Sequence, residues 1–321
     1  MRSNRELIQK ADSILNFGTN GKLAPQQSKQ FIEMMAEKSD FLKKIRVVQM
    51  NNPQVEINRL GVGSRILHPR VTQGVALDEA KRGTVDTGKI TLTSKEVIAE
   101  LTIDQVTVED AIERDSLNFI NDRFGSPGGI HSHVMKLIAE RAALDLLDLA
   151  INGDTAIDPA TNDLLAINDG FLKLASLHPL AASNAHISPT LIHNATLLMP
   201  EKYLADIDNL FYYMSRHTEA KLRAQLANRA TVGGDQYLQT KGSMQMSYGS
   251  TYALPKMPST TVLFTYPNNL IFGIQRDIRI EVEKNIRTGM YLFVLTARVD
   301  FKAEEPDAMV KITGLNTGAL T

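Results

Sequence analysis

Apolar and polar positions change period several times along the chain, and each change marks an element. Over residues 1–16 and 25–46 apolar side chains recur near helical spacing, with the breaker FGTNGKLAP between the two segments. Pro25 occupies a first-turn position, and Phe31, Met34, Met35, Leu42 and Ile45 follow near the helical repeat. This predicts an N-terminal arm over residues 1–45 with one apolar face. From 46 to 110 the period drops to two and β-branched residues dominate, in RVVQM, PQVEINRL and GKITLTSKEVIAELTIDQVTVED. Strands are expected there. Between them lies 61–88, with five Gly, one Pro and six charged residues after Pro69. Such a stretch has too little apolar material to fold against itself, and connections beyond about 12–15 residues without structure are uncommon in compact domains. It reads as a two-stranded projection that needs an outside surface to lie on.

Residues 111–151 return to the helical period. After GSPGG, the segment IHSHVMKLIAERAALDLLDLAI places Ile130, Val134, Leu137, Ile138, Leu144, Leu147 and Ile151 along one side, predicting the longest helix of the chain. Asn152-Gly153 is a suitable stop. A loop, INGDTAIDPATND, opens the second half. There Ser188 reads as a helix N-cap with Pro189 at the first helical position. NLFYYMS reads as a buried strand and HTEAKLRAQLANR as a short helix. Gly-rich turns, TVGGD and KGSMQMSYGS, lead into the strands TVLFTY, NLIFGIQ, DIRIEVEK, MYLFVLTARVDFKA and AMVKITG. The pattern is α+β, without βαβα alternation and without an internal repeat.

Composition narrows the function more than the fold. With 321 residues and 43% hydrophobic content, the chain can bury a core in each of two domains. Lys and Arg total 35 against 36 Asp and Glu, a net charge of −1, so no global cationic field drives the molecule onto nucleic acid or an anionic membrane. Nine positive residues stand against five acidic ones in the first 46, a surplus too diffuse to form a recognition motif. Cys is absent, which removes disulfides, thiolate metal sites and a Cys nucleophile. No apolar run approaches the roughly 18–20 residues of a membrane span, and MRSNRELIQKADS lacks the apolar centre of a signal peptide. No membrane partner is expected.

Local motifs for chemistry fail on their own structural requirements. His131 and His133, with His68, suggest metal ligation, but residues two apart on a helix point about 200° apart. Gly61-Val62-Gly63 lacks the third Gly and the helix of a dinucleotide fingerprint, and Gly18-Thr19-Asn20-Gly21-Lys22 lacks the spacing of a phosphate loop. The acidic pairs Asp145 with Asp148 and Asp206 with Asp208 fit caps and solvated helix faces better than general acid and base. No catalytic, cofactor-binding or metal-ligating residue is assigned, and no cofactor is expected.

The order of parts carries more than any motif. A helical arm, a long charged β-projection, a long helix ending in Ile151-Asn152-Gly153-Asp154, the strand NLFYYMS and a closing stretch from Asn269 to Gly314 follow one another. Met257-Pro258 precedes this stretch, the strand Asn269 to Gln275 opens it, and Arg298-Val299-Asp300-Phe301 and Asp307-Ala308-Met309-Val310 follow. This arrangement resembles the major capsid protein of tailed bacteriophages, the Hong Kong 97-type fold, over nearly the whole chain after residue 25.

The resemblance implies an N-terminal arm over 1–45 and an extended E-loop β-hairpin over 61–95. It implies a peripheral domain from 46–60, 96–158 and about 271–302, including a spine helix over 128–151. An axial domain would take 159–270 and about 303–321. Within the E-loop, Arg65, Arg70, Asp78, Glu79, Lys81 and Arg82 are expected to contact a neighbouring subunit. The implied function is structural and not enzymatic: hexamers and pentamers of one chain closing an icosahedral shell around double-stranded DNA, held without sequence specificity. The implied partners are further copies of the chain, a separate scaffolding protein, a portal and, in some members, a decoration protein. The arm is short for a built-in scaffolding segment, so an untrimmed chain is expected. The site of synthesis would be the host bacterial cytoplasm and the destination the virion. An encapsulin-like nanocompartment shell shares the fold and is the alternative, with an α+β hydrolase a distant third.

Overall fold

A computed structural model describes residues 40–62, 67, 85–104, 130–227, 243–246, 248–275, 279–285 and 287–318. The first half comprises α1 (Asp40–Lys44), β1 (Arg46–Met50), β2 (Gln54–Val62), β3 (Val85–Thr93), β4 (Lys95–Asp104) and α2 (Ile130–Asn152). After it come α3 (Phe171–Leu174), β5 (His178–Ala181), α4 (Pro189–Leu198), β6 (Phe211–Ser215) and α5 (Arg216–Ala227). The chain continues through β7 (Ser250–Leu254), β8 (Val262–Thr265), β9 (Leu270–Gln275), β10 (Arg279–Asn285), β11 (Met290–Ala303) and β12 (Val310–Thr313).

The first sheet is organised by the long strand β11. It pairs antiparallel with β4 and with β10, while β9 pairs with its C-terminal end and β1 joins β9 in parallel. Ile274 lies opposite Val299 and Arg279 opposite Thr296, so β9 and β10 follow one another along β11 with two extra residues between them. Phe293, Leu295, Ala297, Val299, Phe301 and Ala303 alternate inward on β11, the period-two signature of a strand with one face on a core. β9 is different. Leu270, Phe272 and Ile274 face that core, while Ile271 joins Met50 and Leu92 in a second cluster on the opposite face. A strand covered on both faces has no need of alternation, which is why LIFGI is a continuous apolar run.

The second sheet runs β5-β12-β8-β6-β7. Its two faces serve different cores. Tyr212, Met214, Val262, Phe264, Val310 and Ile312 face a cluster closed by Ile192 and Ala195 of α4 and Leu222 and Leu226 of α5. Tyr213 and Leu263 face the other way, into the core shared with the first sheet and α2. Tyr212 stacks on Phe264 at 4.2 Å, and burial pushes its phenol up to about 12 although its hydroxyl lies 2.6 Å from Thr196 Oγ1. The α4 start forms as its residues dictate: Ser188 Oγ accepts from Leu191 N at 3.2 Å and Pro189 opens the helix. The third sheet is the β2–β3 hairpin, paired without a break from Gln54–Thr93 to Val62–Val85.

The long helix α2 extends over 23 residues, about 34 Å at the α-helical rise. Its buried side is Ile138, Ala143, Leu146, Leu147, Leu149, Ala150 and Ile151. Leu144, expected on that side, is instead exposed. Ala143 and Ala150, two turns apart, are both buried, and a reading weighted toward large side chains misses such small residues.

The helix ends at a backbone crossing. A Cβ on Gly153 would lie 2.3 Å from Asn168 O and 2.5 Å from Leu149 O, and one on Gly170 would lie 2.7 Å from Gly153 N. The two glycines meet through Gly170 N donating to Gly153 O at 2.8 Å. Asp154 and Asp169 flank Lys173, with Asp169 at 3.0 Å, and Thr155 N and Oγ1 both donate to Asp169 Oδ1. Gly153→Ala has only backbone to push against, so it should lower unfolding stability by about 3 kcal/mol or more in a urea titration. Burial alone would raise the Asp169 carboxyl, but its hydrogen bonds from Thr155 and Lys173 hold it down to about 2, below its ordinary 3.8. That stabilisation is complete above the unfolded value and lost as pH falls through the folded one. The stability advantage of the unmodified chain over Asp169→Asn should therefore narrow between about pH 4 and about pH 2, as urea midpoints at stepped pH will show.

Candidate functional site: the hairpin root and the crossing between sheets

The chain passes between the first and second sheets twice at one place. β8 leads to β9 through a 3-10 turn, Pro267–Asn269, and β11 leads to β12 through another, Pro306–Ala308. Asn269 is fully buried and ties the two passages together. Its Nδ2 donates to Glu305 O at 3.0 Å and Thr265 Oγ1 at 3.1 Å, its Oδ1 accepts from Glu305 N at 2.6 Å, and its backbone O accepts from Glu304 N at 2.8 Å. Thr265 Oγ1 in turn donates to Ala308 O at 2.8 Å. A buried carboxamide satisfied on both ends is favourable; leaving its partners unmet costs about 1–3 kcal/mol per group.

The second passage carries an acidic turn, and cations from every side converge on it. Arg46 of β1 meets Glu304 at 3.1 Å, and Arg59 of the hairpin meets Glu305 at 2.7 Å while donating to Glu304 O at 3.2 Å. Tyr203 Oη donates to Glu305 Oε2 at 3.1 Å. His178 Nε2 and Lys202 Nζ approach Asp307 at 2.9 and 3.1 Å, and together they hold its carboxyl below the usual range. The turn thus joins the hairpin, the first sheet and the second.

The hairpin root is seated by shape as well as charge. Arg59 lies opposite Gly88, and a Cβ there would stand 3.2 Å from Arg59 Nε, so the missing side chain gives the guanidinium its route to Glu305. Gly273 of β9 likewise leaves room for Met50 Sδ and Leu92 Cδ1, at 3.0 and 3.5 Å from a hypothetical Cβ. Thr93 N donates to Asp300 Oδ2 at 2.7 Å and Phe301 N to Asp300 Oδ1 at 2.9 Å. Asp300 is buried, and that burial raises its carboxyl despite both hydrogen bonds. Ser94 Oγ lies 2.9 Å from Gln275 Oε1, and Ser94 N donates to Pro53 O at 2.9 Å.

Nothing in this arrangement resembles a reaction centre. Asp145 pairs with Arg141 at 3.2 Å, Asp148 with Lys256 at 3.2 Å, and Asp206 accepts from Asn209 Nδ2 at 2.7 Å. Among the described residues no group of three His, Cys, Asp or Glu is placed to hold a metal ion. His131 and His133 fall in the first turn of α2, and His68 lies outside the described residues. Arg65, Arg70, Asp78, Glu79, Lys81 and Arg82 also lie outside the described residues, on the chain between the last hairpin pair, Val62 and Val85. The sequence reading missed the Glu304-Glu305-Asp307 turn and Asn269. The available signal was an acidic run beside Pro306, directly between two strands.

The geometry describes two sheets that share a core, with the root of a two-stranded hairpin seated against them by apolar and ionic contacts. One solved structure of similar shape is a chain of the satellite phage P4 procapsid, which includes the size determination (Sid) protein. It aligns at TM-score 0.68 and 18% identity over 98% of both chains. The capsid of the native GTA particle aligns at TM-score 0.59 and 16% identity over 87% of this chain and 90% of that one. No family model matches the chain. In sequence, the chain is 32% identical over 323 residues to the Bacillus subtilis (strain 168) protein named "Putative prophage capsid protein YqbE", covering 96% of this chain and 98% of that protein. The fold is the capsid fold of the Hong Kong 97 type. The chain belongs to the tailed-phage major capsid proteins, as the capsid relative along its whole length shows.

The energetics of the site separate two roles. Arg59 and Glu305 are part-exposed, and exposed pairs contribute about 0–1 kcal/mol. Asn269→Ala should cost about 2–4 kcal/mol in urea unfolding, whereas Arg59→Ala should cost about 1 kcal/mol or less. A larger loss from Arg59→Ala than from Asn269→Ala would reverse the assignment.

Proposed function

We propose that this chain closes an icosahedral shell as hexamers and pentamers, with the first sheet and α2 as the peripheral domain, the second sheet as the axial domain and the hairpin as the E-loop. The observation that carries the reading is the hairpin. β2 and β3 form nine paired positions, and among the described residues their apolar seat is Val55, Ile57, Ile90 and Leu92 against Met50 and Ile271. A two-stranded ribbon is marginal by itself, and in this reading a neighbouring chain adds to its cover. Arg65, Arg70, Asp78, Glu79, Lys81 and Arg82 then meet opposite charges or backbone groups of the neighbour, each worth about 0.2–1 kcal/mol where exposed. Strand pairing and apolar cover contribute the rest.

The same contacts must close at five-fold and six-fold positions, so the reading includes a separate scaffolding protein as template and a portal at one vertex. A decoration protein on the outer surface is compatible with it. A net charge of −1 supplies little counterion release, which suits a lining that holds double-stranded DNA loosely and without sequence preference. Synthesis in the host bacterial cytoplasm, followed by incorporation into the virion, completes the reading.

Replacing residues 67–82 by a two-residue turn leaves β2, β3 and the root in place. The shortened chain should keep the unfolding midpoint of the full chain and form no closed shells in negative-stain images of cells also expressing the scaffold. Normal shells from it would sink the E-loop assignment. DNA in purified full particles fits the phage reading, while particles filled with a protein cargo would favour the nanocompartment.

A further inference from the structure

Self-association in rings requires two different surfaces on each copy, one complementary to the other, because a head-to-tail contact repeats around the axis. The second sheet presents such a pair. One lies on the connection from the last turn of α4 to the start of β6. Leu197 is 70% exposed, and Leu198 and Ile207 are about two-fifths exposed, at 40% and 41%. Glu201, Asp206 and Asp208 are exposed on the same connection, and among the described residues neither Glu201 nor Asp208 has a charged partner. The other lies at the opposite end of β6, where Arg216 and His217 open α5, both exposed and without an ion-pair partner among the described residues.

The two surfaces are separated along and across the sheet. The five residues of β6 stand between Leu210 and Arg216, about 17 Å of strand. Across the sheet, α4 packs over β12 toward the β5 edge and α5 over β6 and β7 toward the other edge. One copy cannot satisfy its own unpaired charges across that distance. A second copy can. Exposed apolar side chains and the carboxylates of Glu201 and Asp208 on one connection are matched by the exposed guanidinium of Arg216 at the other, the charge complementarity a head-to-tail contact needs.

We infer that the connection bearing the exposed Leu197, Leu198, Glu201, Ile207 and Asp208 docks on Arg216 and His217 of a second copy of this chain, making the repeating contact within a ring. The inference rests on the shell reading and names the ring contact that reading leaves open. Other occupants, such as an accessory protein, are outcomes of the test.

The test is charge reversal on the full chain, with sedimentation velocity for ring size and negative stain for shells. Arg216→Glu should reduce ring formation at least tenfold at concentrations where the unmodified chain assembles, and Arg216→Lys should retain it. Glu201→Lys with Asp208→Lys should fail likewise, and all three reversals in one chain should restore assembly. A mixture of the Arg216→Glu chain with the Glu201→Lys, Asp208→Lys chain can satisfy every contact only by alternating. It should therefore give even-membered rings without pentamers. All substituted positions are exposed, so near-ultraviolet circular dichroism and the unfolding midpoint should match the unmodified chain. Unchanged assembly of Arg216→Glu would overturn the inference. So would failure of the triple reversal while its fold is intact, or rescue only by an added accessory protein. If the unmodified chain itself forms no rings or shells, the shell reading falls with it.

Discussion

The buried carboxamide of Asn269 is the interaction on which the remaining architecture depends. Two sheets that share a core through Tyr213, Leu263 and the inner face of β11 must exchange the chain somewhere; it crosses once between β4 and β5 by way of α2, and twice more side by side. Each passage exposes backbone groups that neither sheet can pair. Asn269 supplies a donor and two acceptors to the second passage from within the first, and Thr265 adds one more bond to Ala308. The relative placement of the sheets follows from that junction.

Around it the weaker interactions orient. Arg46, Arg59, Lys202 and His178 all address one acidic turn, and none of these part-exposed pairs would hold the fold by itself. Their joint effect is directional, because Arg59 reaches Glu305 past Gly88, where a Cβ would stand 3.2 Å from its Nε. The apolar seat of Met50, Leu92 and Ile271 provides the stabilisation, and the ions select the attitude. For a subunit that repeats one contact many times, a fixed attitude matters, since small angular errors accumulate around a closed surface.

Much of the local structure was legible in the residues. Ser188-Pro189 announced α4, Asn152-Gly153 ended α2, and the runs at 262–265, 270–275 and 290–303 were strands as their composition required. The misses share a cause. β5 is four residues long and contains Pro179, which suits an edge strand but breaks any strand pattern. β7 emerges from a Gly- and Ser-rich turn, and its pairing with β6 is parallel, set by contacts and not by a hairpin. Leu144 was placed inside because hydrophobic size was counted, while Ala143 and Ala150 lie on the face that seats.

By itself the sequence determined most of the elements, the α+β class and the order of parts that resembles the capsid family, because helix and strand periods and caps are local properties of neighbouring residues. Only the tertiary structure decided the pairing of residues 46–50 with 271–275 and the meeting of Gly153 with Gly170. It alone brought Asn269, Glu305 and Arg59 into one junction. Those partners are separated by tens to hundreds of residues, and no local period records which distant surface will fill a missing side chain or satisfy a buried amide.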